Sequence, residues 1–461
     1  MTERRVIIIG AGIFGLSLAV ALRQRDYAVT VFDRHAYDQS QYDPDAEDVQ
    51  AASVDHNKIF RASYGTKIHY QRLALESRHA WMTADQQERA EDALFVTSGM
   101  LRVQPDDQLG ALEKETLANL QRDGLRHTQF VKGDAQDRER AQQTGWAHKL
   151  LDVPIPSSNA SYEAVLDSLA GLVRCNAACA ATYRRAVEIG VDFVLGPHQG
   201  AIDSLVTVES TQGGKPKATG VRTADERIHN AHLVVVAAGS FSTQILPALS
   251  YHLESSAGSL ATFRIDRSQT ELWEKYSPEH FPVVTWKSQP RDARGRDTGS
   301  VYVLPRTPEG LVKIGYRGIK FTHFVPAPED AFRQDGQWSV PLPVDESRIL
   351  PDEAVQAIRQ FVSIFLPEFA DVPFHWTKLC WYTDSLDNSF VIDYCPDYAE
   401  QSVFVCTGGS GHGAKFLPVL GENGEQSTSY MRPFWRWRSD QPRRNGLQEG
   451  PGGPRNLSER K

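Results

Sequence analysis

The chain has 461 residues, with 50 lysines and arginines against 58 aspartates and glutamates, a net charge of −8. That length supports two domains, while the acidic balance and lack of a basic, aromatic-rich patch exclude nucleic acid as the expected partner. No apolar run approaches the ~20 residues that cross a bilayer, and five cysteines do not make a disulfide framework, so a reducing interior is expected.

The first apolar run, residues 6–9, is β-branched throughout, as expected of a parallel strand buried on both faces. It begins so early that no signal peptide is expected ahead of it. Gly10, Gly12 and Gly15 then form G-x-G-x-x-G: a sharp turn, close backbone approach to a pyrophosphate, and tight helix–strand packing. Residues 16–22 carry the helical pattern, which aims a helix N-terminus at the phosphates. A second strand, residues 29–32, ends at Asp33, whose carboxylate can accept from a ribose hydroxyl. Strand, glycine turn, helix, strand and acid in that order point to a dinucleotide site.

Residues 39–48 read as an acidic surface loop. Residues 51–65 gather small residues with Asn57, Lys58 and Arg61; the two cations share a face if this stretch is helical. A helix over 68–81 follows, then a change of texture at 94–103 and a charged helix over 109–122, the start of another domain. Residues 175–189 form a helix closed by Gly190, and Cys175 and Cys179 on it suit core packing better than a metal. A strand over 191–196 extends the first sheet. Residues 232–242 make another buried strand ending in a small-residue turn at 237–239. From about 259 the strands alternate and are rich in aromatics, as in an antiparallel sheet. A last strand precedes Gly408, Gly409, Gly411 and Gly413, a second place for backbone to approach a ligand. Beyond Gly421 the pattern decays, with no closing helix evident, and residues 439–461 read as a disordered tail.

One dinucleotide fingerprint rather than two suits a single long cofactor, FAD, reduced by the substrate and not by a nicotinamide nucleotide. Four spaced segments then carry a specific similarity: residues 55–61 (DHNKIFR), 310–316 (GLVKIGY), 378–384 (KLCWYTD) and 408–416 (GGSGHGAKF). Together they resemble the sarcosine oxidase family, whose members include monomeric sarcosine oxidase, pipecolate and saccharopine oxidases and the fungal fructosyl amino acid oxidases. The pipecolate- and saccharopine-type fungal members are the most similar. The resemblance implies an α/β fold: a glutathione-reductase-like, Rossmann FAD-binding domain (1–85, 156–244 and 374–430) and an α+β substrate domain on an antiparallel sheet (86–155 and 245–373).

It also implies roles. Cys380 would bind FAD covalently through a thioether. Lys313 would activate oxygen, where a fixed ammonium is worth ~10²–10³ in rate. Lys58 and Tyr382 would stand beside the flavin, and Arg61 and Lys415 would hold the substrate carboxylate. The remaining implied cofactor contacts are Ile13, Phe14, Arg34, Ser53, Val194 and Gly239, with Lys58, Asn57, Gly411, Gly413 and Lys415 also against the cofactor. The implied reaction is oxidation of a secondary amine or amino acid to an imine, with O2 reduced to hydrogen peroxide, by a monomer with no metal, membrane or nucleic-acid partner. A cytoplasmic or peroxisomal location is expected, although no Ser-Lys-Leu ending is present. Arg317 stands where fructosyl amino acid oxidases carry a glutamate for the sugar, which argues against deglycation. Val54 replaces a histidine of bacterial sarcosine oxidase, and Ala414 replaces a bulky aromatic, so a larger, N-methylated or cyclic amino acid is expected. The alternatives are a fructosyl amino acid oxidase and a non-catalytic FAD-binding protein.

Overall fold

A computed structural model describes residues 4–46, 49–85, 92–156, 158–210, 214–288, 299–328, 336–385, 387–421, 427–438 and 450–459. The dinucleotide sheet has six strands, in the order Val391–Tyr394, Val403–Thr407, Leu233–Val236, Arg5–Ile9, Ala28–Asp33 and Asp192–Leu195. All are parallel except the edge strand Val391–Tyr394. Alternation along the central strands explains the layering. Val6, Ile8, Val29 and Val31 face the helices Ile13–Arg23 and Cys175–Glu188, burying Leu16, Ala19 and Cys179. Ile7, Ile9, Phe32, Val234 and Val236 face the opposite way, toward Ala218 and Val221 of a three-stranded antiparallel sheet. A strand covered on both faces needs apolar residues at every position, which is why residues 6–9 show no polar alternation.

The second sheet has eight strands, in the order Trp376–Ser385, Leu253–Arg264, Leu311–Phe321, Ser300–Val303, Val283–Lys287, Met100–Val103, Ala164–Asp167 and Gln129–Val131. Helix Asp352–Phe365 covers one face through Ala354, Ile358, Phe361, Val362 and Phe365. Pairing is antiparallel except between Val283–Lys287 and Met100–Val103. The segments Ala164–Asp167 and Trp376–Ser385 belong to this sheet, not to the dinucleotide half where residues 156–244 and 374–430 are expected. Each is claimed by an antiparallel partner that sequence spacing does not reveal.

Three further segments depart from expectation. Within the acidic 39–48 stretch, Tyr42 is fully buried, its ring 4.0 Å from that of Tyr37 and its hydroxyl donating to Ala11 O at 2.7 Å; residues 47–48 lie outside the described set. A closing helix exists, Ser427–Trp435, and buries Met431 and Trp435 against Tyr70, Phe390 and Phe416. Residues 450–459 are ordered: Arg455 donates to Glu254 at 2.9 Å and to Lys320 O at 2.7 Å, and Asn456 accepts from Phe324 N at 2.9 Å. Pairing of the polar groups replaces the missing apolar pattern there. The rest of the expected tail, 439–449 and 460–461, lies outside the described residues.

Candidate functional site

A cavity of about 1300 Å³ runs from the glycine turn of the first sheet to the inner face of the second. That exceeds the ~300–1,000 Å³ of a pocket for one small molecule and leaves space for a dinucleotide together with a substrate. At one end stand Gly10, Gly12, Ile13, Phe14, Asp33 and Arg34. Gly10 has φ +113° and lies so near the second turn that a Cβ would sit 2.5 Å from Ala237 O. A Cβ on Gly15 would collide with Gly10 O, so that glycine serves helix–strand packing and stays off the cavity wall. Gly12, by contrast, opens toward the cavity, with Ser53 the nearest neighbour of a would-be Cβ at 3.7 Å. Asp33 accepts from Ala11 N at 2.8 Å and His35 N at 2.9 Å, which fixes the carboxylate on the wall. Arg34 lies over the Phe241 ring at 3.7 Å, next to Gly239.

Val194 does not reach this wall. The loop at Gly200 crosses so close to Asp33 O that a Cβ there would collide, and Gly200, Ala201 and Ile202 line the cavity instead.

The opposite end is built by strand pairing. Cys380 stands opposite Gly258 across the ladder, and both line the cavity with Tyr382. The stretch around Lys58 is a strand, Lys58–Phe60, paired antiparallel with Gly171–Val173, and not a helix. Lys58 and Arg61 nevertheless both reach the cavity, because Arg61 follows the strand end. The Lys58 ammonium lies 3.7 Å from Cys380 Sγ and donates to Asp55 Oδ2 at 2.6 Å.

Lys313 is placed differently from Lys58. It is 1% exposed and does not line the cavity, because Asp55 Oδ1, at 2.7 Å, and Asn57 O hold its ammonium behind the wall. One buried carboxylate thus serves two lysines. Burial alone would raise the Asp55 pKa, but the charges of Lys313 and Lys58 override it and hold it well below the ordinary carboxylate range. Burial opposes the charge on Lys58, yet Asp55 more than offsets it and raises its pKa, whereas burial dominates at Lys313 and lowers it. Of the two lysines on Asp55, Lys58 is the one that lines the cavity. Asp55 lies inside the DHNKIFR segment, and local spacing does not mark it; its partner Lys313 is 258 residues away.

Arg61 and Lys415 meet over Tyr64, at 4.5 and 4.9 Å from the ring centroid. Lys415 donates to Arg61 O at 3.2 Å, and Arg61 donates to Ser63 O. His412, whose pKa burial pushes well down, accepts from the Tyr64 hydroxyl at 3.0 Å and donates to Asn388 O at 2.9 Å in the tautomer this pairing requires. Burial, then the charges of Arg61 and Arg317, lower Lys415 well below an ordinary lysine. Neither Arg61 nor Lys415 has a carboxylate partner among the described residues. Two desolvated cations without a counter-ion make a site for an anion.

Whether FAD suits this cavity can be judged from the chain itself. Asn57 Oδ1 and Ser63 Oγ line it, buried and without hydrogen-bond partners, and the first turn of helix Ile13–Arg23 opens onto it at Gly12. Unsatisfied buried polar atoms together with a helix N-terminus fit a large polar cofactor. Among the described residues no His, Cys, Asp or Glu group could hold a metal ion, and no helix is long and apolar enough to cross a membrane.

Comparison with known proteins identifies the family. The chain is 27% identical to the L-saccharopine oxidase of Schizosaccharomyces pombe, over 95% of this chain and 94% of that protein. It is 24% identical to a monomeric sarcosine oxidase of Bacillus sp., over 91% and 92%. The solved structure of a fructosyl amine:oxygen oxidoreductase from Aspergillus fumigatus superposes with a TM-score of 0.72 at 24% identity, covering 100% of this chain and 96% of that one, and shares the fold. The sequence profile of the FAD dependent oxidoreductases matches residues 5–423, and the chain belongs to that family.

Proposed function

We propose that the chain oxidises a secondary, N-substituted α-amino acid to its imine, holding FAD through Cys380 and passing the electrons to O2. The observation that carries this is the joining of two ends in one cavity: a glycine-turn dinucleotide cradle, and a wall on which Cys380, Lys58 and Tyr382 stand within the same space as Arg61 and Lys415. The names of similar proteins, L-saccharopine oxidase and monomeric sarcosine oxidase, support the amine class.

When bound, FAD supplies the two-electron oxidation of the C–N bond and the transfer of those electrons to oxygen. The chain supplies position and charge. Gly12, Asp33, Arg34 and Gly239 would hold the nucleotide end, and Asn57, Lys58, Cys380 and Tyr382 the ring end. Arg61 offers a planar fork and Lys415 a point charge to the substrate carboxylate, so the amine and its C–H are oriented from one anchored end. Lys58, held on the cavity wall by Asp55, would place an ammonium beside the ring end of the cofactor, where a preorganised charge favours electron uptake by oxygen. We assign the wall position of the Lys58 and Lys313 pair to Lys58. Ala414 is small and lines the cavity, which leaves space for a substrate larger than sarcosine.

The test is a panel of sarcosine, pipecolate, saccharopine, larger N-methyl amino acids and fructosyl-glycine, with peroxide as readout. Peroxide from the unglycated secondary amino acids and not from fructosyl-glycine is expected; turnover of the fructosyl substrate alone would overturn the reading. Flavin remaining in acid-precipitated protein, and lost from Cys380→Ser, is the result expected for the tether.

A further inference from the structure

Among the cations that line the cavity, Arg317 stands apart from the Arg61 and Lys415 pair. Arg61 and Lys415 share the Tyr64 ring. Arg317 comes from a different element, strand Leu311–Phe321, lies over the Tyr382 ring at 5.1 Å from its centroid, and donates to Gly411 O at 3.3 Å. Its Nε is buried without a hydrogen-bond partner, and it forms no ion pair among the described residues. The acid two strands away, Asp384, is already taken by Lys320 at 2.9 Å and Ser256 at 2.5 Å. The turn facing Arg317 is shaped around it, since a Cβ on Gly411 would collide with its guanidinium.

The Arg317 side chain is partly exposed where it lines the cavity, but its buried Nε is an unused donor, and leaving such a donor unmade is costly unless a ligand completes it. A single α-carboxylate is already served by Arg61 and Lys415, whose charges meet at a different ring. We infer that Arg317 is a second anion subsite, so that the substrate is an N-substituted amino acid bearing a second acidic group, its α-carboxylate at Arg61 and Lys415 and its other carboxylate at Arg317. The planar fork of arginine suits bidentate capture of that second group. This inference rests on the reading of the chain as a secondary amino acid oxidase.

The experiment compares holoprotein of the wild type, Arg317→Gln and Arg317→Lys on N-methyl-L-glutamate and its neutral counterpart N-methyl-L-glutamine. The wild type should prefer the diacid. Arg317→Gln should lose roughly 10- to 100-fold in kcat/KM on the diacid and change by about twofold or less on the neutral substrate, with Arg317→Lys in between. Equal losses on both substrates, or no wild-type preference, would overturn the subsite. Ligand-induced thermal shift on the same proteins decides it without turnover: glutarate should stabilise the wild type more than butyrate does, and the difference should vanish in Arg317→Gln. If glutarate shows that pattern while no N-methyl amino acid yields peroxide, the subsite stands and the oxidase reading falls. If peroxide forms but glutarate and butyrate are alike, the subsite falls alone.

Discussion

Replacing Asp55 with Asn removes the one carboxylate that both Lys58 and Lys313 use. Their side chains are 23% and 2% exposed, and that of Asp55 is 7% exposed, so little solvent is available to take over its charge. Breaking a buried pair by deleting one partner costs about 3–5 kcal/mol, because the surviving charge stays desolvated. Here two ammonium groups, at 2.6 and 2.7 Å from the two carboxylate oxygens, lose the one negative charge they share, so the upper part of that range is expected. Adding Lys313→Met removes the more deeply buried ammonium, and the double variant should recover at least about half of the loss, a coupling of roughly 2 kcal/mol or more. The assay is denaturant unfolding of apoprotein followed by both flavin-independent fluorescence and circular dichroism, since a two-domain chain need not unfold in one step. The sign of the pH dependence follows from Asp55: its native pKa lies below the unfolded value of about 3.9, so its contribution is complete above that value and fades as pH falls through the native one. Asp55→Asn should therefore destabilise at neutral pH and flatten the acid limb. A loss below about 1 kcal/mol, or strict additivity in the double variant, would refute the shared-carboxylate account.

Other outcomes follow from single contacts. Lys415 is pushed down by burial and by Arg61 and Arg317, and a bound anion restores its proton, so affinity for a carboxylate lacking an amine should fall as pH rises through the lowered value. Lys415→Met should remove that dependence, as read by calorimetric titration. Tyr42→Phe strips the hydroxyl from Ala11 O and should cost about 1–3 kcal/mol together with weaker FAD retention. Gly15→Ala sets a methyl group against Gly10 O, which is backbone and cannot yield, and should give no FAD-loaded protein on expression; a yellow, soluble product would contradict the packing.

The dinucleotide half was legible because its signals are local. Gly10, Gly12 and Asp33 sit within one strand–turn–helix–strand unit, and each lies where that unit requires. The meeting of Arg61 and Lys415 was legible only through resemblance, since they are 354 residues apart and meet over a tyrosine that spacing does not mark. Lys313 is a second residue whose surroundings spacing does not reveal. Alternation places it on a strand, but only the fold reveals that Asp55 holds it behind the wall while Lys58 faces the cavity. Tyr42 and Arg455 were illegible for a related reason: each is polar or lies in a polar stretch, and each is buried by one specific partner instead of by a periodic face.

The most direct measurement of the central claim is anaerobic mixing of the holoprotein with an N-methyl amino acid while the flavin absorbance is followed, with air then readmitted. The account predicts bleaching by the secondary amino acid, lost in Arg61→Met and Lys415→Met, and peroxide equimolar with the amine consumed once oxygen returns. Bleaching by a nicotinamide nucleotide but by no secondary amine would contradict it.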